Sequence, residues 1–142
     1  MRKTKLMRER PELSPKNPNY IPAERYYELK HFCLQYNDWK KALRGLDGLR
    51  ANTIDISGVV KKSSISNPTE KIALARAYYS THIDIVDRCI AKLEPSIAPY
   101  VLEGVTKGLS YETLRAKGCP YCRESYYEYY RLFFWLLSQE RG

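Results

Sequence analysis

The sequence has no long apolar segment, and this excludes the classes of protein that such segments define. No run of apolar residues approaches the roughly 18 residues that a membrane-spanning helix needs. The N-terminal stretch MRKTKLMRERPELSPKNPNY is basic, but it lacks the apolar core of a signal peptide. We therefore predict a cytoplasmic protein without a membrane partner.

Cysteine is scarce and scattered, unlike the dense disulfide framework of a small secreted protein. The four cysteines are Cys33, Cys89, Cys119 and Cys122. We expect all of them to be reduced. Only Cys119 and Cys122, in the segment GCPYC, have the spacing of a metal or redox pair.

The Cys119-x-x-Cys122 pair lacks the companions that its chemistry would require. A structural zinc ion needs a second pair of ligands, and the candidates are His31 and Cys33. Side chains two positions apart on a helix point in nearly opposite directions, so these two are poorly placed to share an ion. A thioredoxin-like pair would need a βαβ pattern, which is absent. We predict no metal, with Cys119 and Cys122 packed at a turn.

Catalytic groupings are also lacking. Histidine occurs only as His31 and His82, and no serine or cysteine nucleophile has an evident partner. Asp84 and Asp87 lie three positions apart on one helix face, which is more typical of solvated carboxylates than of a catalytic pair. Glycine-rich phosphate loops are absent. The sequence therefore predicts no enzyme and no cofactor.

Positive charge is what the sequence carries in excess. The chain has 142 residues, 44% of them apolar, which suffices for one domain with a modest core. Its formal net charge of +8 favours a polyanionic partner, although a solvated basic surface without function is the alternative. Residues 1–19 contain six basic residues against two acidic ones, with three prolines, a composition that indicates a flexible basic arm.

Helical periodicity dominates residues 20–95, which we interpret as a scaffold of two long helices. The first begins at Pro22 and ends near residues 45–48, with a break allowed around residues 37–38. Its apolar stripe consists of Tyr26, Leu29, Cys33, Tyr36, Trp39, Leu43 and Leu46. Its opposite face carries Arg25, Lys30, Lys40, Lys41 and Arg44.

The second long helix is predicted from the cap-like segment NPTE at residues 67–70 and is closed by Pro95. Its inward stripe consists of Ile72, Ala75, Tyr79, Ile83, Val86, Ile90 and Leu93. The intervening residues 51–66 have no sustained period and predict a loop, with a short extended piece at residues 54–60 as an option.

Residues 96–142 divide into three shorter helices. The first, at residues 96–106, repeats apolar residues at four-residue steps. The second, in the segment GLSYETLRAKG, is capped by Ser110, directs Leu114 inward and ends with Gly118 in the left-handed conformation. A turn, GCP, leads to a last helix from about residue 121 to residue 139. The whole chain is therefore predicted to be all-α.

Two short helices joined by a turn that contains glycine are the ingredients of a helix-turn-helix. Here the supporting helix would be residues 110–117 and the recognition helix residues 121–139. The residues presented to the major groove would be Tyr121, Arg123, Glu124, Ser125 and, one turn on, Tyr127 or Glu128. The residues near phosphates would be Lys107, Arg115 and Lys117.

A plain αα-hairpin in a helical bundle is the alternative to a helix-turn-helix. From residue 120 onwards three arginines are matched by three glutamates, which is weak electrostatics for a recognition helix. The tyrosines of this segment also fit either interpretation, because at helical spacing they can fill a core or stack on bases.

The segment LEPSIAPYVLEGVTKGLSYETLRAK resembles region four of bacterial sigma factors, and over roughly residues 20–138 the chain more closely resembles phage-encoded regulators of the RinA/ArpU type. That resemblance implies activation of phage late genes in a bacterial host, through double-stranded promoter DNA and host RNA polymerase. The residues that match the recognition helix of the family are Cys122, Arg123, Ser125 and Tyr126. We expect the basic arm and the lysines of the first helix to add non-specific affinity.

A second hypothesis belongs to another class, an interaction protein whose tyrosine-rich last helix docks on a host nucleic-acid enzyme or assists DNA packaging. Exposed Tyr121, Tyr127 and Tyr129 flanked by acidic residues would favour docking on a protein, and burial of these rings beside a basic face would favour DNA. The sequence leaves the oligomeric state open, a homodimer included.

Overall fold

The computed structural model describes residues 17–51 and 68–142; for residues 49–51 it describes the backbone but not the side chains. The arm predicted at residues 1–19 lies almost wholly outside the described residues, as does the loop predicted at residues 51–66, of which only Ala51 is described, as the last residue of a helix. The optional extended piece and the cap at Asn67 also lie outside the described residues. Throughout the described ranges the regular structure is helical and no strand occurs. The all-α prediction is therefore confirmed for this part of the chain.

The helices follow the order that the sequence pattern predicts, with some boundaries shifted. They are α1 (Ala23–Leu34), α2 (Tyr36–Ala51), α3 (Pro68–Ala91), α4 (Ala98–Lys107), α5 (Tyr111–Ala116) and α6 (Arg123–Arg141). Among the described residues, no helix is long and apolar enough to cross a membrane.

The first predicted helix is divided at Gln35 into α1 and α2, two residues before the break that the sequence allowed. The backbone N–H of Gln35 donates to the carbonyl oxygen of Phe32 (3.2 Å), and this tight last turn ends α1. The prediction that the helix ends at residues 45–48 was wrong, because α2 runs through both glycines to Ala51. A glycine costs only about 1 kcal/mol relative to alanine in a helix, too little to end one.

The described residues form two compact units, one made of residues 17–35 and 85–142 and the other of residues 36–51 and 68–84. In the first unit α1 packs against α4 and α6, α6 also packs against α4, and α4 contacts α5. Its largest fully buried side chains are Tyr26, Tyr126, Phe133, Phe134, Leu29, Ile97, Leu114 and Leu137. The part of the predicted inward stripe that lies on α1 therefore forms one core with the buried side chains of α6.

A hydroxyl pair fixes α1 against α6 inside this core. The hydroxyl groups of Tyr26 and Tyr130 share a buried hydrogen bond of 2.9 Å, and the ring of Tyr26 packs edge-on against Phe134 at 5.1 Å between centroids. Burial raises the pKa of Tyr130 well above its ordinary value, and the neighbouring Tyr26 adds to the effect. The Tyr130 hydroxyl therefore stays protonated and keeps its hydrogen bond with Tyr26.

The close approach of α4 and α6 depends on Gly104. A Cβ atom at this position would lie 2.2 Å from the hydroxyl oxygen of Tyr126 and 3.2 Å from a methyl carbon of Leu114. The Tyr126 side chain is buried, and its hydroxyl has no hydrogen-bond partner among the described residues. The missing side chain of Gly104 thus provides the space that the Tyr126 hydroxyl occupies.

In the second unit, α2 and the residues of α3 up to Asp84 are joined by an aromatic contact and an ion pair. The buried ring of Trp39 packs edge-on against His82 at 5.1 Å between centroids, and Arg76 pairs with Asp47. The Nδ1–H of His82 donates to the backbone carbonyl of Tyr78 (2.7 Å). His82 therefore serves packing, as a lone helical histidine usually does.

Candidate nucleic-acid interface

Helix α5 is delimited at both ends by the signals that the sequence predicted. The Ser110 side chain accepts a hydrogen bond from the backbone N–H of Thr113 (3.2 Å), which caps the N-terminus. At the other end Gly118 adopts a φ of +113°, and the N–H of Cys119 donates to the carbonyl of Leu114 (3.0 Å). The side chain of Leu114 is fully buried. The Ser110 cap and Gly118 therefore set where α5 begins and ends, and the burial of Leu114 sets which side of the helix faces inward.

The connection from α5 to α6 is longer than predicted, because α6 begins at Arg123 and not at residue 121. Cys122 has extended dihedral angles (φ −72°, ψ 168°) and occupies the capping position. Tyr121 belongs to the turn: its carbonyl accepts the Tyr111 hydroxyl (2.6 Å), and its own hydroxyl shares a hydrogen bond with Ser96 (2.7 Å). Tyr121 therefore anchors the turn and does not lie on α6.

The two cysteines at this turn have different environments. Cys119 is buried, as predicted, whereas Cys122 is exposed, so the prediction that both pack at the turn was wrong for Cys122. Hydrogen bonds from the Ser125 side chain and backbone lower the pKa of the Cys122 thiol. Within the described ranges no group of three or more His, Cys, Asp or Glu side chains could hold a metal ion.

Arg123 lies at the surface where α5 meets α6, and it is already engaged there. Its guanidinium forms an ion pair with Glu112 of α5. It also lies over the rings of Tyr127 and Tyr111, at 5.3 and 5.9 Å from their centroids. A surface ion pair of this kind contributes at most about 1 kcal/mol, so a stronger acceptor can replace Glu112. Arg123 is held close to the start of α6 but remains available for exchange.

The three residues predicted near phosphates lie around α4 and α5, and each is satisfied within the molecule. Lys107 and Lys117 both approach the carboxylate of Glu103, at 3.9 and 3.2 Å. Arg115 donates to the backbone carbonyl of Cys119 (3.3 Å), which braces the turn. The structure thus brings Lys107 and Lys117 together through an acidic residue that the sequence did not single out.

The outward side of the first turns of α6 is acidic. Glu124 and Glu128 are exposed, whereas Ser125 and Tyr127 are half-buried. The ring of Tyr127 packs against Tyr126 and Tyr130, at 5.0 and 5.4 Å between centroids. The side chains that project furthest at the start of α6 are therefore carboxylates.

The tyrosines of the last helix divide into core and rim. Tyr126 and Tyr130 are buried, and burial raises the pKa of both hydroxyls. Tyr121 and Tyr129 are half-buried and pack edge-on at 5.6 Å between centroids. Partial burial raises the pKa of Tyr129, and the neighbouring Tyr121 and Glu94 add to the effect. The rim tyrosines thus form neither a bare apolar patch nor a buried layer beside a basic face.

A cleft of about 320 Å³ lies beside Arg123, between α1, the corner from α4 to α5, and α6. Lys30 and Leu34 of α1 form one wall, and Leu109, Glu112, Arg123 and Tyr127 contribute to the others. Two apolar side chains of α1, Tyr27 and Leu34, are 44% and 37% exposed. A partner side chain could enter here, and no periodicity in the sequence had indicated the cleft.

The net positive charge of the chain is not concentrated on the predicted module. Residues 96–142 hold six basic and five acidic residues, whereas residues 1–16 hold six basic and two acidic. Electrostatic attraction to a polyanion therefore has to come mainly from other parts of the chain. The α5–α6 region can orient a contact more readily than it can supply the affinity.

The resemblance to RinA/ArpU-type regulators rests on the sequence segments quoted above, and it stays a prediction. Nothing in the geometry of α5 and α6 depends on it. Comparisons with protein-family models, with curated proteins and with solved structures found no match to this chain.

Proposed function

We propose that the protein binds double-stranded DNA through a helix-turn-helix formed by α5 and α6, and that it acts as a phage-type transcriptional regulator together with host RNA polymerase. One observation carries the proposal. The N-terminal end of α6 lies at the surface, behind a turn anchored by buried Leu114 and Cys119; Arg123 is its first residue, and Arg115 donates to the carbonyl oxygens of Cys119 and Tyr121 in that turn.

In this proposal the start of α6 enters the major groove, which is wide enough for one helix. Arg123 exchanges Glu112 for the O6 and N7 atoms of a guanine. Glu124, exposed one position further on, accepts a hydrogen bond from the N4 amino group of a cytosine. Lys107 and Lys117 exchange Glu103 for phosphate oxygens and fix the register of the protein on the duplex.

Because residues 96–142 are nearly neutral, most of the affinity for DNA in this proposal comes from other residues. Residues 1–16 carry a formal charge of +4, since six basic side chains stand against Glu9 and Glu12. Each phosphate that such side chains neutralise releases counterions, so the binding constant falls steeply with salt. Sequence readout by α6 and salt-dependent attraction by other residues are thus separable contributions.

The test is binding of the purified full chain to a duplex selected from a random pool, followed by fluorescence anisotropy over a salt series. Arg123→Ala is expected to weaken binding by about 1–3 kcal/mol, a loss of about 5- to 150-fold, and to relax the preference at one base pair. Arg88→Ala is the matched control, because Arg88 is also a surface arginine paired with a glutamate, Glu140 (3.0 Å). Equal binding by both variants at every salt concentration would remove Arg123 from the interface.

The exposed carboxylates of α6 and the cleft beside Arg123 favour a second function, docking on a host protein. Glu124 and Glu128 repel phosphates, whereas Leu34 lines the cleft and Tyr27 is a further exposed apolar side chain of α1. A pull-down from host lysate, with and without nuclease, separates the two functions. A partner recovered equally well after nuclease treatment supports protein docking, whereas recovery that nuclease abolishes supports DNA.

A further inference from the structure

Helix α2 carries a group of three exposed cations that are not paired with any acidic residue in the described part of the chain. Lys40, Lys41 and Arg44 are all exposed, and none of them has an acidic partner within the described ranges. Lys40 lies over the ring of Tyr36, at 5.3 Å from the centroid. Asp47, one of two acidic residues on the helix, is paired with Arg76 of α3. The cations of α2 are therefore left to solvent or to a partner.

Two glycines continue the same face of α2. Positions 41, 44, 45 and 48 follow the spacing of three and four that places residues on one side of a helix. A Cβ atom at Gly45 or Gly48 would meet nothing within 4 Å of the described residues. Packing within the described ranges therefore does not require either glycine, and each of them lowers helix stability relative to alanine. Glycine does allow another molecule to approach the helix backbone closely.

We propose that this surface, the α2 basic face (Lys40, Lys41, Arg44, Gly45 and Gly48), lies against the phosphate backbone of double-stranded DNA. The inference rests on the proposed function and extends it to the second unit of the chain. Phosphates are the complementary partner because the face carries cations and no apolar side chain. Its contacts add affinity and position the protein, and they carry no sequence information.

The first variant removes the cations. Lys40→Gln, Lys41→Gln and Arg44→Gln together are expected to lower the slope of log K against log salt by about 2 to 3, since each lost phosphate contact removes about 0.9. Binding should weaken by the same factor for a selected duplex and for a random one. The control replaces Lys71, Arg88 and Lys92 by glutamine, which removes the same charge from α3 and the residues that follow it.

The second variant fills the face without changing its charge. Gly45→Ala with Gly48→Ala is expected to raise the melting temperature, because alanine favours the helix, and still to weaken DNA binding several-fold. A face that only contacts solvent would show the higher melting temperature with no loss of binding. The opposite directions of the two readouts separate a partner contact from a folding defect.

The outcomes also separate this inference from the proposed function. If the α2 variants bind like the control variant while Arg123→Ala loses affinity, the α2 basic face is overturned and the helix-turn-helix stands. If the wild-type chain binds no duplex at low salt, both are overturned. Reduced slope and reduced affinity in the α2 variants, with a control variant that keeps more of both, support the contact.

Discussion

The start of α6 and the outer face of α2 both present cations, but they present them in different ways. Near the start of α6 and in the neighbouring α5 region, the positive side chains have partners. Arg123 pairs with Glu112, Lys117 pairs with Glu103, and Arg115 donates to a backbone carbonyl. On α2 the three exposed cations have no acidic partner among the described residues. A cation in an ion pair has a defined position but attracts a polyanion only weakly, because its partner neutralises its charge. An unpaired cation attracts a polyanion more strongly, but its position is not fixed. The first arrangement suits readout and the second suits affinity.

The largest effect is expected from a change that displaces α6 and leaves α2 unchanged. Gly104→Ala brings a methyl group onto the Tyr126 hydroxyl and should destabilise the fold by about 2 kcal/mol, the usual cost of overpacking. Preference for the selected duplex should fall, and salt-dependent binding to random DNA should persist. Urea unfolding and anisotropy on both duplexes measure the two effects.

A double-mutant cycle shows whether the cause is this contact. Tyr126→Phe removes the clashing oxygen, which has no hydrogen-bond partner in the described part of the chain, so it should be neutral or slightly stabilising on its own. In that background Gly104→Ala should lose most of its effect. Additive destabilisation in the double variant would contradict the contact.

A smaller effect is expected from converting a held cation into an unpaired one. Glu112→Gln releases Arg123, and the freed pairing energy of about 0.5–1 kcal/mol should strengthen DNA binding by about two- to five-fold. Glu140→Gln is the control, since it removes the same charge but releases Arg88 and Lys92. Weaker binding after Glu112→Gln would mean that Glu112 orients Arg123 for readout and does not compete with DNA.

The smallest change is chemical and reports on the start of α6 directly. Cys122 is exposed and its pKa is lowered, so iodoacetamide should modify it at neutral pH faster than an ordinary thiol. Burial raises the pKa of Cys89 to about 11 and raises that of Cys33 well above its ordinary value, and both should stay unmodified in the folded protein. Mass spectrometry identifies the modified residue.

The same reaction gives a footprint of the proposed interface. A bound duplex should protect Cys122, whereas Cys122→Ser should abolish the modification. Unchanged modification in the presence of a saturating duplex would place the start of α6 away from DNA.

The sequence predicted the features that depend on neighbouring residues. The inward stripe of α1, the Ser110 cap and the left-handed Gly118 are local patterns, and the structure contains them. The start of α6 was misplaced because Tyr121 would fit a helix by propensity but is held in the turn by Tyr111 and Ser96. Ser96 is 25 positions away, beyond any helical spacing.

The candidate site was predicted by residue type but not by environment. Arg123, Lys107 and Lys117 are predicted as cations near DNA. The Glu103–Lys107 pair has the four-residue spacing of a helical ion pair, but no sequence pattern indicates that Glu112 pairs with Arg123 or that Glu103 also pairs with Lys117. Glu112 precedes Arg123 by 11 positions across a turn, so only tertiary structure brings the two together. Because these cations are paired, each must leave its carboxylate partner before it can bind DNA.

The bond between Tyr26 and Tyr130 spans 104 positions of the chain, and this has a consequence for synthesis. The ribosome synthesises α1 long before α6, so the apolar side of α1 stays exposed until α6 has been made. For the same reason a fragment that begins at residue 96 would leave Phe134 and Tyr130 facing water. Expression of the isolated C-terminal segment should therefore yield aggregates, and coexpression of residues 1–95 should restore soluble product.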